Sequence, residues 1–310
     1  MVARLTRILI LLQITVAAIL FALAIWVWRI DGLWHATILS VGAIFLFRLL
    51  ITANSFFLAW RYRSETPAPC RLGWAGTLRL FKEEFQATLW SSSWGMPFRS
   101  FDKRTIKNSS AVPVLLIHGY GCNSGYWHSL SKLLTRAEIS HHAVDLTPVL
   151  ADIDAYVPAV QRAVEALCIE TGHEQVIIVA HSMGGLAARA YLRSHGRRRI
   201  AKVITLGSPH HGTGLANSAP GLNSKQMRWV GSAVNGLPSD WLRQLESTEN
   251  PELRALFVSI YSHHDNIVAP QTSSHLPGAK NIEFHGIGHV ALALNPTVQA
   301  CVLEEIHLAA

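Results

Sequence analysis

Ser182 sits in the run Ala180-His181-Ser182-Met183-Gly184-Gly185, directly after the apolar stretch Val176–Ala180 and before an Ala/Leu/Arg-rich helical pattern. Strand, sharp turn and helix in that order lift a serine hydroxyl above a sheet as a nucleophile, and small residues at 180 and 184 let strand and helix come close. The ordinary alternative is a serine that merely caps the helix. A nucleophilic serine needs a base and an acid to orient it. One arrangement of such a triad runs serine, acid, histidine along the chain. Asp265 follows the apolar run Phe257–Tyr261, and His289 follows Ile282–Phe284, so both fall in loops after strands and in that order. His289 would take the Ser182 proton, and Asp265 would fix its tautomer and stabilise the imidazolium. Asp145 also follows a strand but precedes the serine. Asp240 lies in a helical insert and reads as a cap, while His285 and His264 read as strand-end and loop residues. The developing oxyanion would be held by the backbone N–H of Met183 and by that of Tyr120, in the glycine-flanked turn His118-Gly119-Tyr120-Gly121.

These residues need a scaffold. Short apolar runs at 112–117, 143–145, 176–180, 202–206, 257–261 and 282–284 alternate with helical patterns at 127–137, 153–170, 184–194 and 298–308. Near-continuous apolar strands alternating with helices predict an α/β fold, a mostly parallel sheet covered on both faces. Such a sheet carries its functional loops at the carboxyl ends of the strands.

Other chemistries fit poorly. The chain has 16 His, but the pairs His141-His142, His210-His211 and His263-His264 are adjacent residues that point oppositely in extended chain. No H-E-x-x-H occurs, so neither a catalytic metal nor another cofactor is expected. The four cysteines, Cys70, Cys122, Cys168 and Cys301, are isolated and read as small buried hydrophobes. The formal charge of +7 comes from scattered basic residues, the densest run being Arg197-Arg198-Arg199. No nucleic-acid module accompanies it. With 50% hydrophobic and only 15% charged residues, the chain is far from a disordered composition.

Much of that apolar excess is N-terminal. No charged residue interrupts Ile8–Trp28, which ends in an aromatic Trp26-Val27-Trp28 belt rather than a cleavage site. About 20 apolar residues suffice to span a bilayer, so this stretch reads as a retained transmembrane helix. A second apolar stretch, Gly32–Trp60, contains one charge, Arg48. It spans if Leu33–Phe47 crosses and Arg48 snorkels to the interface; otherwise it is a surface helix. Arg4 and Arg7 before the first helix and Arg61, Arg63 and Arg71 after the second place both ends of a hairpin in the cytoplasm. A single span would instead put the remaining chain outside. The expected organisation is a membrane anchor over 1–60, a linker and entry segment over 61–105 with a helix candidate at Leu78–Leu89, and a catalytic domain over 106–310.

Taken together, Val114–Gly121, Ala180–Gly185, Thr205–Thr213 and the loops of Asp265 and His289 resemble bacterial lipases and esterases of the α/β-hydrolase superfamily, and Pro209-His210-His211-Gly212-Thr213 resembles triacylglycerol lipases. The resemblance implies an α/β-hydrolase fold, here behind a transmembrane hairpin, and hydrolysis of a lipid or other acyl ester through an acyl-enzyme, at the inner membrane. Ala180 stands where the commonest elbow has Gly. The hairpin is foreign to secreted lipases and favours a membrane-associated substrate. The insert at about 213–251, with Met227, Trp229, Val230, Trp241 and Leu242, would form a lid facing an acyl chain, or an ordinary packed excursion. Acyl transfer or amide hydrolysis by the same triad, and a non-catalytic membrane scaffold, remain as alternatives.

Overall fold

The computed structural model describes residues 1–107 and 109–309. Two antiparallel helices open the chain, α1 (Val2–Trp26) and α2 (Leu33–Tyr62), packed along each other. Both are long and apolar enough to cross a membrane, and most of their surface is exposed. A third helix, α3 (Trp74–Trp90), continues through a π-helical turn at Ser91–Gly95 into the short α4 (Met96–Phe98).

A seven-stranded sheet follows. Its strands are β1 (Lys103–Arg104), β2 (Val114–Ile117), β3 (His141–Val144), β4 (Val176–His181), β5 (Ile200–Leu206), β8 (Phe257–Ser262) and β9 (Lys280–Phe284), in the spatial order β1-β3-β2-β4-β5-β8-β9. All neighbours are parallel except β1 against β3. A separate hairpin, β6 (Trp229–Val230) and β7 (Leu237–Pro238), lies in the insert. The remaining helices are α5 (His128–Arg136), α6 (Val157–Thr171), α7 (Met183–His195), α8 (Leu222–Gln226), α9 (Asp240–Ser247), α10 (Pro251–Arg254) and α11 (Pro296–His307). The expected strands and helices are all present, with ends shifted by a few residues.

Alternation along each strand divides the core in two. Leu115 and Ile117, with Val176, Ile178 and Ala180, pack with α6 and α7. Val114 and Leu116, with Ile177 and Val179, pack with α5 and α11. Burial on both faces is why these strands read as continuous apolar runs. Helix α2 runs unbroken past Arg48, whose guanidinium donates to Gln13 Oε1 (2.7 Å) and to the Ser93 (2.8 Å) and Ser92 (3.2 Å) hydroxyls. Within 61–105 the helix expected at Leu78–Leu89 is longer, 17 residues, and packs against α2.

Candidate active site

Ser182 terminates β4 and caps α7 with φ 53° and ψ −126°. A non-glycine residue in that half of the backbone map costs of order 1–3 kcal/mol and persists only where its surroundings fix it. The Ser182 N–H donates to the Leu206 carbonyl (2.9 Å). Beneath the turn, a Cβ on Gly184 would stand 2.4 Å from the Ile117 carbonyl oxygen, so only glycine lets α7 leave the sheet here. The Ser182 side chain makes no hydrogen bond among the described residues, as a capping serine would.

Asp265 and His289 meet as the sequence predicts. The His289 Nδ1–H donates to Asp265 Oδ2 at 2.7 Å, and both side chains are buried. The other carboxylate oxygen accepts the N–H groups of Ile267 (2.8 Å) and Val268 (2.7 Å). Burial opposes charging the imidazole, but the Asp265 carboxylate beside it, reinforced by Glu84, holds its pKa above the usual histidine value. His289 Nε2 is left without a partner among the described residues. His289 and Ser182 line one cavity of about 250 Å³ with Gly119, Tyr120, Tyr126 and His181. They are not directly hydrogen-bonded, a spacing common before substrate binds. A larger cleft of about 620 Å³ between α2, α3 and the 263–271 loop reaches Asp265 but neither Ser182 nor His289.

The N–H groups of Tyr120 and Met183 both lack a hydrogen-bond partner among the described residues. His118 fixes the first of these turns. Its Nδ1–H donates to the Gly119 carbonyl (2.8 Å), and its Nε2 accepts from Leu146 N–H (3.0 Å). With Nε2 so engaged, the 3.5 Å approach of Asp145 is not an ion pair, and burial holds the His118 pKa down. Asp145 itself accepts from Ser124 N–H and does not line the cavity of Ser182 and His289. His264 accepts the Gly286 N–H, and His285 is exposed, so neither joins the site. Asp240 lies in the first turn of α9, capped by Ser239. Burial pushes the thiol of Cys122, on the cavity wall, up to about 12, which removes it as a rival nucleophile.

Three residues contribute in ways the sequence hid. His181 packs against His289 with ring centroids 4.5 Å apart and planes tilted by 48°, and its Nε2–H donates to the His289 carbonyl (3.1 Å). Burial, then the neighbouring His289 charge, keeps it well below the usual range, so it stays neutral. Asn266 Oδ1 accepts the His289 N–H (2.9 Å), while its amide donates to Ser55 on α2 (2.8 Å). Glu84, buried on α3, accepts the N–H groups of Val290 (3.0 Å) and Ala291 (2.9 Å). A Cβ on Gly288 would lie 2.5 Å from its carboxylate. Burial pushes the Glu84 pKa up against those two hydrogen bonds. An acidic residue spaced into α3's apolar face at Leu80, Glu84 and Phe85 was the only local signal.

The 213–251 insert does not cover this cavity. Met227 and Leu242 are buried in the core, and Trp241 donates to Asp154. The cavity is walled by Thr88, Ser91, Ser92 and Met96 instead. The Pro209–Thr213 stretch is structural: Arg189 donates to the His210 carbonyl and pairs with buried Glu249, and the Thr213 hydroxyl donates to the Ile267 carbonyl beside Asp265.

A family model described as the alpha/beta hydrolase fold matches residues 112–229. The chain also superposes on a Bacillus licheniformis lipase in its mature form, with a TM-score of 0.55 and 18% identity over 66% of this chain and 97% of that one. Aspergillus fumigatus lipase B gives 0.54 and 18% over 68% of this chain and 55% of its own length. The fold is that of an α/β hydrolase. In this α/β-hydrolase fold the sheet, the serine turn and the two loops after β8 and β9 stand in the expected chain order. Helices α1 and α2 and the active-site contributions of α3 lie outside the matched segment.

Proposed function

We propose that this chain is a serine hydrolase of carboxylic esters, lipase- or esterase-like, held at a membrane by the α1–α2 hairpin. The observation that carries the reading is Ser182, strained and unbonded at the β4–α7 turn, facing the same small cavity as an imidazole already bonded to Asp265. His289 Nε2 accepts the Ser182 proton as the oxygen attacks the ester carbonyl. The N–H groups of Tyr120 and Met183 hold the oxyanion, each such donor being worth about 2.7–4 kcal/mol. The imidazolium protonates the leaving alkoxide, which departs as an alcohol. Water then attacks the acyl-enzyme with His289 as base, releasing the acid and restoring Ser182. Similarity to two lipases of known structure supports the ester as substrate. The test is labelling by a fluorophosphonate with hydrolysis of p-nitrophenyl esters in parallel. Wild type reacts in both assays and Ser182→Ala in neither; hydrolysis that survives Ser182→Ala overturns the assignment.

A further inference from the structure

A second cavity, of about 220 Å³, lies between α1, α2 and α3. Its apolar lining is Leu9, Ile10, Phe47, Ile51, Phe85 and Leu89. Leu9, Phe47 and Ile51 are exposed at its outer rim, on the helices apolar enough to enter a bilayer, whereas Phe85 is buried at its inner side. Thr88 and Ser92 line this cavity and the catalytic cavity alike. The two spaces therefore share one wall, made where α3 passes into the π-helical turn. Such turns are rare and recur at functional sites. Arg48 fixes that turn by donating to Ser92 and Ser93, with Gln13 of α1 as its third partner. An arginine placed among apolar helices is costly in a bilayer and marks function there more often than not.

We propose that the substrate is a bilayer-resident acyl ester that enters sideways: its acyl chain lies in the α1–α2–α3 cavity and crosses the Thr88–Ser92 wall, so that the ester carbonyl reaches Ser182 without leaving the membrane. This deepens the hydrolase reading and rests on it. Together the two cavities fall within the roughly 300–1,000 Å³ of small-ligand sites. The path also accounts for an insert that packs into the core instead of over the nucleophile.

The test uses the full chain in phosphatidylcholine nanodiscs. The kinetic readout is the ratio of kcat/KM for a p-nitrophenyl palmitate to that for the acetate. Leu89→Trp, or Ile51→Trp where the first does not fold, lowers that ratio at least tenfold; a ratio within twofold of wild type overturns the path. The binding readout needs no turnover. Ser182→Ala protein is irradiated with a diazirine-bearing palmitoyl ester, and adducts are mapped by mass spectrometry. Adducts on Phe85, which the bilayer does not reach, that disappear in Ile51→Trp support the path; adducts confined to outward faces of α1 and α2, or to 213–251, refute it. Failure of the hydrolase reading is seen separately, as wild-type protein that neither labels with fluorophosphonate nor cleaves the acetate.

Discussion

As the proposed base, His289 has to be neutral to take a proton and charged a moment later, and its neighbours are set for the second state. Asp265 accepts its Nδ1–H and is itself held by two backbone N–H groups, so the carboxylate stays put and stays an acceptor. Replacing it with Asn leaves the volume unchanged but presents an amide that cannot enforce the same tautomer; kcat for p-nitrophenyl acetate falls by about 10⁴-fold. The raised pKa of His289 also sets the sign of the pH dependence. Protonated imidazole is no base, so kcat/KM drops as pH falls through that pKa, with a midpoint above the ordinary value of about 6.5. Glu84 adds a second negative charge behind His289 and is a positioning residue. Glu84→Gln removes the charge and turns an NH₂ toward the Val290 or Ala291 N–H. Its acid limb shifts to lower pH than that of wild type. Loss of yield with an unmoved limb would mean that Glu84 only supports the fold. The placement of Ser182, Asp265 and His289 together was legible because each follows an apolar run at the same edge of the sheet. His181, Asn266 and Glu84 were not, because what they do depends on backbone groups brought in from distant parts of the chain.

Elements outside the matched segment hold the loop that carries His289. Ser55 of α2 anchors Asn266, and Asn266 anchors the His289 N–H. One and two residues on, at Val290 and Ala291, α3 binds the chain again through Glu84. The loop therefore hangs between an α/β sheet and a helical hairpin. Breaking one neutral hydrogen bond in such a chain costs about 0.5–1.5 kcal/mol. Ser55→Ala should accordingly lower kcat/KM for the water-soluble acetate ester by a few-fold. A soluble substrate makes the effect independent of partition into lipid, and an unchanged value would mean that the hairpin serves only as an anchor. In residues 61–105 the sequence offers a helix at Leu78–Leu89 but not its extension to Trp74–Trp90 or its packing on α2, because prolines and scattered tryptophans flank it. The insert looked like a lid because of where it sits between β5 and β8. Apolar spacing gives the amphipathic face of an element but not whether that face meets a substrate or the core, and Met227 and Leu242 meet the core.

The arrangement of the whole molecule bears on how it meets a membrane. At 1.5 Å per residue, the 25 residues of α1 and 30 of α2 each exceed the roughly 30 Å hydrocarbon thickness. They run antiparallel, and their outer ends both touch the rest of the chain. Arg7 near the start of α1 donates to the Pro97 carbonyl (2.8 Å), and Ser64 just past α2 bonds to Gln271 (3.0 Å). The turn at residues 27–32 lies at the other end of the hairpin, flanked by exposed Trp26, Trp28, Leu33 and Trp34. If the pair inserts, the N-terminus and the α/β domain lie on one side of the bilayer. The basic residues Arg4, Arg7, Arg61, Arg63 and Arg71 gather at those same ends, and a hairpin inserted by the positive-inside rule would turn them to the cytoplasm. Epitope tags at residue 1 and after residue 310 should therefore be shielded together in intact cells and become accessible together once the membrane is opened. One tag protected while the other is reached from outside would mean that a single helix crosses, and the lateral path between α1 and α2 would lose the bilayer on which it depends.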